Sequence, residues 1–233
     1  MRIFPVVHAR SRRQVLEQTE RALELGADGV FLIDHGRLGQ DDLLRAFAAA
    51  RRAMPEAFLG LNLLCGGPAT AYDTLRQALR RRELRQAPDA LWVDDARGDS
   101  LPALRRLRVD LMDSPLADTI LYGGVAFKYT RAFTEDPEAA RGEVEALGPH
   151  VDVTTTSGAG TGTPPTPAKL AAMKDALGDR PLAVASGVSL DNLADYGDSI
   201  DEVLVASSVE TEPYSGVFDP AALADLIAAV HKR

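Results

Sequence analysis

At 233 residues with 45% hydrophobic side chains, the chain has the length and apolar content of one large domain with a substantial core. Its 34 acidic residues against 26 basic ones leave a formal charge of −8, which argues against a dedicated nucleic-acid binder. A single cysteine, Cys65, excludes an intrachain disulfide and fits a reducing cytoplasm, and the opening apolar stretch is too short for a signal peptide or a membrane span.

Strand and helix patterns alternate from end to end. Short apolar runs at 3–8, 29–34, 58–64, 90–94, within 119–128, and at 151–156, 181–185 and 202–206 read as eight strands. Helical spacing follows each of them, over 11–25, 40–55, 68–83, 100–112, 137–147, 166–177, 190–196 and 220–231. The arginines concentrate in helical segments such as 76–85 and 105–108, where solvated faces are expected. Eight strand-then-helix units without a low-complexity linker predict a single α/β domain over 1–233, a (β/α)8 TIM barrel. An open doubly wound sheet is the alternative.

In such a barrel, function sits at the carboxyl ends of the strands. His8, Asp34, Asn62, Asp94, Lys128, Ser157, Ser186, Ser207 and Ser208 all fall there. Lys128 stands out because the other three lysines, Lys169, Lys174 and Lys232, lie in helical segments. Strand alternation places Lys128 on one face with Ala126 and Gly124, opposite Val125, Phe127 and Tyr129. An inward amine there would hold an anion or act in acid–base or Schiff-base chemistry; the bland alternative is a structural pair with Asp94 or Asp34. The same test points Asn62 into the barrel, away from Leu59, Leu61 and Leu63, either to meet a ligand or to satisfy a core hydrogen bond. Asp34 and Asp94 could act as general base and acid, or jointly hold Mg²⁺, and His8 could shuttle protons. No other cofactor is indicated. Cys65 reads as a small loop residue.

Three small-residue turns follow the last three strands. Ser186 and Gly187 after the seventh, with Ser207 and Ser208 after the eighth, predict a phosphate cradle, because small residues let backbone N–H groups crowd around an oxyanion. Ser157, Gly158, Gly160, Thr161 and Gly162, leading into Pro164-Pro165, predict a lid over the pocket. The glycines lack the GxGxxG spacing of a dinucleotide site, and no GxxxxGK[ST] is present.

The run from Thr156 to Pro165 resembles the TG-x-x-TG-x-PP segment of the BtpA family. Ala185-Ser186-Gly187-Val188 with Asn192, Gly60-Leu61-Asn62-Leu63-Leu64, and Val125-Ala126-Phe127-Lys128 are similar to further segments of that family, in the same order. Where the family's eighth strand usually runs into GTS and a lysine, this chain has Ala206-Ser207-Ser208-Val209-Glu210. The resemblance implies a barrel related to the ribulose-phosphate-binding enzymes, in a family linked to photosystem I biogenesis and to enzyme-like labels. The expectation is a cytoplasmic protein that binds a phosphorylated small molecule, a sugar phosphate or nucleotide-like ligand, as an isomerase or phosphoribosyl-transfer enzyme. It is expected to need neither nucleic acid nor membrane, with homo-oligomerisation left open. A non-catalytic assembly factor on a barrel scaffold and a metal-dependent hydrolase are the rival expectations.

Overall fold

The computed structural model describes residues 1–64, 66–98 and 100–233, with Arg108 described by its backbone alone. The reading of Cys65 as a loop residue lies outside the described residues. Eight parallel strands close in sequence order into a barrel. They are β1 (Arg2–His8), β2 (Val30–Ile33), β3 (Leu59–Asn62), β4 (Ala90–Val93), β5 (Ile120–Gly124), β6 (Val153–Thr156), β7 (Leu182–Val184) and β8 (Glu202–Val205). β1 pairs with β8 through Phe4 opposite Leu204, and with β2 through Val6 opposite Phe31, so no edge is left open. The chain is therefore a single (β/α)8 TIM barrel.

Among the described residues seven α-helices cover the outside: α1 (Arg12–Glu24), α2 (Gln40–Ala53), α3 (Pro68–Arg80), α4 (Leu101–Leu111), α5 (Pro137–Leu147), α6 (Pro167–Leu177) and α7 (Pro220–His231). Ser11, Ser100, Asp136, Thr166 and Asp219 cap α1, α4, α5, α6 and α7, each side chain accepting from an orphan first-turn amide. After β7 the helix expected over 190–196 shortens to a 3-10 turn, Leu193–Tyr196. Among the described residues no helix is long and apolar enough to cross a membrane.

Strand alternation sorts the core into two layers. Ile3, Val7, Leu32, Leu59, Leu61, Leu91, Val93, Leu121, Val184 and Val203 pack outward against the helices. Phe4, Val6, Phe31, Ile33, Ala90, Trp92, Tyr122, Val153, Ala183 and Leu204 fill the barrel. The Phe31 ring meets Phe4, Trp92 and Tyr122 edge-on at 5.8, 6.0 and 5.0 Å, an arrangement the ring quadrupoles favour. Gly60 makes this possible, because a Cβ there would collide with the Phe31 ring. Below the aromatic layer the buried Glu202 accepts from Tyr122 Oη at 2.7 Å and pairs with Arg2. These side chains fill the barrel beneath the carboxyl ends of the strands, where a cavity opens.

β5 ends earlier than its sequence pattern suggests. Gly124 is its last residue, and the turn that follows holds Ala126 and Tyr129 at φ of 47° and 62°, a left-handed region that non-glycine residues rarely adopt. Strict alternation no longer applies beyond Gly124. Phe127, expected to face the helices, instead lies inside the barrel, its ring 6.1 Å from that of Trp92.

Candidate active site

A cavity of about 620 Å³ opens at the carboxyl end of the barrel. Its apolar floor comes from Val6, Ile33, Trp92 and Leu204, the uppermost layer of the barrel interior. Its polar groups arrive from separate strand ends: His8 from β1, Asp94 from β4, Lys128 from the turn after β5, and the small-residue turns after β6, β7 and β8. A concave apolar pocket with a few converging polar groups is the form ligand sites take.

Lys128 is half-buried and lines the cavity, yet its Nζ makes no hydrogen bond or ion pair among the described residues; the recorded contact is with the Phe127 ring, 5.6 Å away. Burial pushes its pKa down, and the charge of Asp94 pulls the other way. Asp94 is the reverse case. Burial raises its pKa, against the hydrogen bond from Asn62 and the charge of Lys128. Asn62 is fully buried and donates from Nδ2 to Asp94 Oδ1 at 2.9 Å, while its Oδ1 has no partner among the described residues. The amide therefore orients the carboxyl and does not line the cavity itself. Gly124 lets Asp94 sit where it does, because a Cβ at Gly124 would overlap the Asp94 carbonyl.

Across the cavity His8 Nδ1 lies 2.8 Å from Glu210 Oε1. Glu210 also accepts from Gly216 N at 3.0 Å, and it pairs with Phe218 in an antiparallel bridge. The hairpin so formed carries Tyr214 at φ 60°, its ring 5.2 Å from His8 and 5.9 Å from His35. The pKa of His35 is pushed down by burial and by the nearby charges of His8 and Lys128.

The turns after β7 and β8 form the wall next to β1, with which β8 pairs. Ser186, Gly187, Ser207 and Ser208 line the cavity, with Val188 and Ser189. The backbone N–H groups of Gly187, Val188, Ser207 and Ser208 have no acceptor among the described residues. Asn192 braces the first turn, donating to Gly187 O at 2.7 Å and accepting from Ser189 N at 2.9 Å. Ser208 Oγ donates to Val188 O at 2.6 Å, joining the two turns. Gly187 sits at φ 66° with the Thr163-Pro164 backbone against its Cα, so a side chain would meet both strain and collision.

Thr161, Gly162 and Pro164 reach the cavity from the turn after β6, whereas Ser157, Gly158 and Gly160 support that segment from behind. Ser157 is buried, with its Oγ accepting from Lys128 N at 2.8 Å. Gly158 packs against the Thr163 and Pro164 carbonyls, and Gly160 O accepts from Ser186 Oγ at 2.9 Å. Tyr129 Oη accepts from Thr161 N at 3.2 Å, closing the segment onto the Lys128 turn.

Asp34 departs from expectation. Its carboxylate accepts from the backbone N–H groups of Arg37, Leu38 and Gly39 at 2.9, 3.0 and 2.8 Å, and it lies outside the cavity lining. These amides lower its pKa against the opposing effect of burial, so Asp34 shapes its own loop, outside the cavity that Asp94 lines. Among the described residues no group of three or more His, Cys, Asp or Glu side chains is placed to hold a metal ion. The convergence of Asp34, Asp94 and a histidine expected for a metal-dependent hydrolase does not occur. Trp92, Glu210, Tyr214 and Tyr129 join the site without having been singled out from sequence. For Trp92 the strand alternation that flagged Asn62 was signal enough.

A scan against family models and a search of curated proteins find no match to this chain. Its fold is similar to solved (β/α)8 structures. Phosphoribosyl anthranilate isomerase from Thermus thermophilus superposes with a TM-score of 0.67 at 19% identity, over 100% of this chain and 99% of that one. A 3-hexulose-6-phosphate synthase gives 0.64 at 16% identity over 99% of both chains. (S)-3-O-geranylgeranylglyceryl phosphate synthase from Thermoplasma acidophilum, in complex with its substrate sn-glycerol-1-phosphate, gives 0.61 at 12% identity over 100% and 94%. At these identities the likeness concerns the fold, and chemistry has to be argued from the cavity.

Proposed function

We propose that this protein is a cytoplasmic, BtpA-like enzyme acting on a phosphorylated small molecule, a sugar phosphate or nucleotide-like ligand, by isomerisation or phosphoribosyl transfer. One observation carries the reading: four backbone N–H groups without acceptors among the described residues, on Gly187, Val188, Ser207 and Ser208, belong to a cavity that also holds the Lys128 amine, which has no hydrogen bond or ion pair to a described residue. Backbone donors in the turns after the last two strands suit a phosphate, the ligand group that a (β/α)8 barrel commonly takes there. The named neighbours that act on phosphorylated compounds support the same reading.

With the phosphate at that wall, the rest of the ligand lies over Val6, Ile33, Trp92 and Leu204, between His8 and Lys128. In an isomerisation, protonated Lys128 stabilises negative charge as it develops on a carbonyl oxygen. His8, held by Glu210, removes the proton from the adjacent, hydroxyl-bearing carbon to give an enediol, and then returns that proton to the former carbonyl carbon. Asp94, its carboxyl kept neutral to higher pH by burial, gives a proton to the carbonyl oxygen in the first half and takes one back from the neighbouring hydroxyl, which becomes the new carbonyl, in the second. Proton count is unchanged over the cycle, as an isomerase requires. The open cavity also favours this reading over an assembly factor, for which a filled mouth is expected.

The test is the melting temperature of the purified protein with ribose 5-phosphate and, separately, with ribose. The phosphate ester raises it and the sugar alone does not. No response to any of a panel of phosphorylated sugars and nucleotides would contradict the proposal.

A further inference from the structure

Lys169, on α6, is fully buried outside the cavity, and the chemistry above does not use it. Its Nζ donates to the Ala126 carbonyl at 2.9 Å and to the Ser157 carbonyl at 2.7 Å. The Glu135 carboxylate stands 3.6 Å away, and the Phe133 ring 5.0 Å. Burying an ammonium is costly even when it is paired, and an apolar side chain of similar length would fill the space without that cost. The amine does something that a methionine could not.

It closes a chain of contacts around the catalytic turn. Lys128 N donates to Ser157 Oγ, the Ser157 carbonyl accepts from Lys169, and Lys169 holds the carbonyl of Ala126, two residues before Lys128. Ala126 and Tyr129, on either side of Lys128, both have positive φ, a conformation that persists only where its surroundings impose it. Ser157 also opens the lid segment, which Ser186 ties to the phosphate wall through Gly160. We propose that Lys169 is a positioning residue: from behind the barrel mouth, its ammonium fixes the turn that aims Lys128 and the base of the lid as one unit.

The chain has only four lysines, so ¹³Cε-lysine NMR can follow Lys128 individually, assigned by Lys→Arg variants. In Lys169→Met, Lys128 is expected to titrate closer to an ordinary lysine, because its turn is released toward solvent. Affinity for inorganic phosphate is expected to fall by about fivefold or more, since the lid base and the phosphate wall are coupled. Lys169→Arg, which keeps charge and donors, is expected to recover part of both. A folded Lys169→Met protein with an unchanged Lys128 titration and phosphate affinity overturns the proposal. If Lys169→Met does not fold, Glu135→Gln carries the test: removing the counter-charge shifts both readouts in the same direction, and unchanged values overturn the proposal. The phosphate arm rests on the function proposed above, whereas the lysine titration does not. Wild-type protein that binds no phosphate therefore counts against that function, and the Lys128 titration alone then decides the role of Lys169.

Discussion

Glu210 Oε1 lies 2.8 Å from His8 Nδ1, joining the end of the first strand to the loop beyond the last across 202 positions of sequence. The carboxylate fixes the imidazole ring, and the same Glu210 oxygen holds Gly216 N, so one residue both orients His8 and builds the hairpin that brings Tyr214 to the rim.

Replacing Glu210 with alanine leaves the Gly216 amide and a His8 ring nitrogen without their acceptor. An unpaired buried polar group costs about 1–3 kcal/mol, so urea midpoints should fall by that equivalent. With four histidines in the chain, ¹⁵N imidazole shifts should show His8 changing from one tautomer to a mixture. If both measurements match wild type, Glu210 does not orient His8.

Gly187→Ala combines a positive φ with a collision against Pro164. The strain is worth about 1–3 kcal/mol, and relieving it means moving the turn or the lid. Calorimetric titration with ribose 5-phosphate should show affinity reduced at least about tenfold, the equivalent of 1.4 kcal/mol. Unchanged affinity would place the phosphate elsewhere.

The buried carboxyl of Asp94 has a raised pKa, so the native state binds more protons than the unfolded chain above the ordinary aspartate range of about 3.9. Its contribution to stability is present below that range and is lost as pH rises through the folded-state value. Asp94→Asn removes this loss. The variant should be more stable than wild type near neutral pH while losing about 10²-fold or more in turnover, measured by denaturant melts and steady-state kinetics on the first phosphorylated substrate found.

Lys169 has the opposite sign. Burial lowers its pKa to about 8, with the Glu135 carboxylate opposing that shift. Between that value and the ordinary lysine range of about 10.4 the unfolded chain binds more protons, so this group makes stability rise with pH across the window. Lys169→Met should lack that component of the rise when its melts are compared with wild type at pH 7.5 and 10. Parallel profiles would mean that Lys169 is not buried as described.

The barrel was legible because its signals are local: apolar runs of strand length alternate with helical spacing, and side-chain caps start five of the helices. Alternation also placed Asn62 and Gly60 correctly inside the barrel. It failed at Phe127, because the strand had already ended at Gly124 and two residues with positive φ had redirected the chain. Asp34 sits at a strand end as catalytic carboxylates do, but the amides it holds belong to the five residues that follow it. Glu210 could not be assigned from sequence, since its partner His8 is distant and the antiparallel bridge that brings it back exists only in the folded chain. Lys169 lies on a helix, where spacing alone does not distinguish it from a solvated lysine; its burial comes from the Ala126 and Ser157 carbonyls that the fold brings to it.

The most direct test of the central claim is a ¹⁵N–¹H correlation titration of the wild-type protein with ribose 5-phosphate, with ribose as the control. The amides of Gly187, Val188, Ser207 and Ser208 should shift with the phosphate ester and stay in place with the sugar. Saturable shifts confined to other parts of the barrel, or none at all with any phosphorylated sugar or nucleotide, would contradict a phosphate site at these turns.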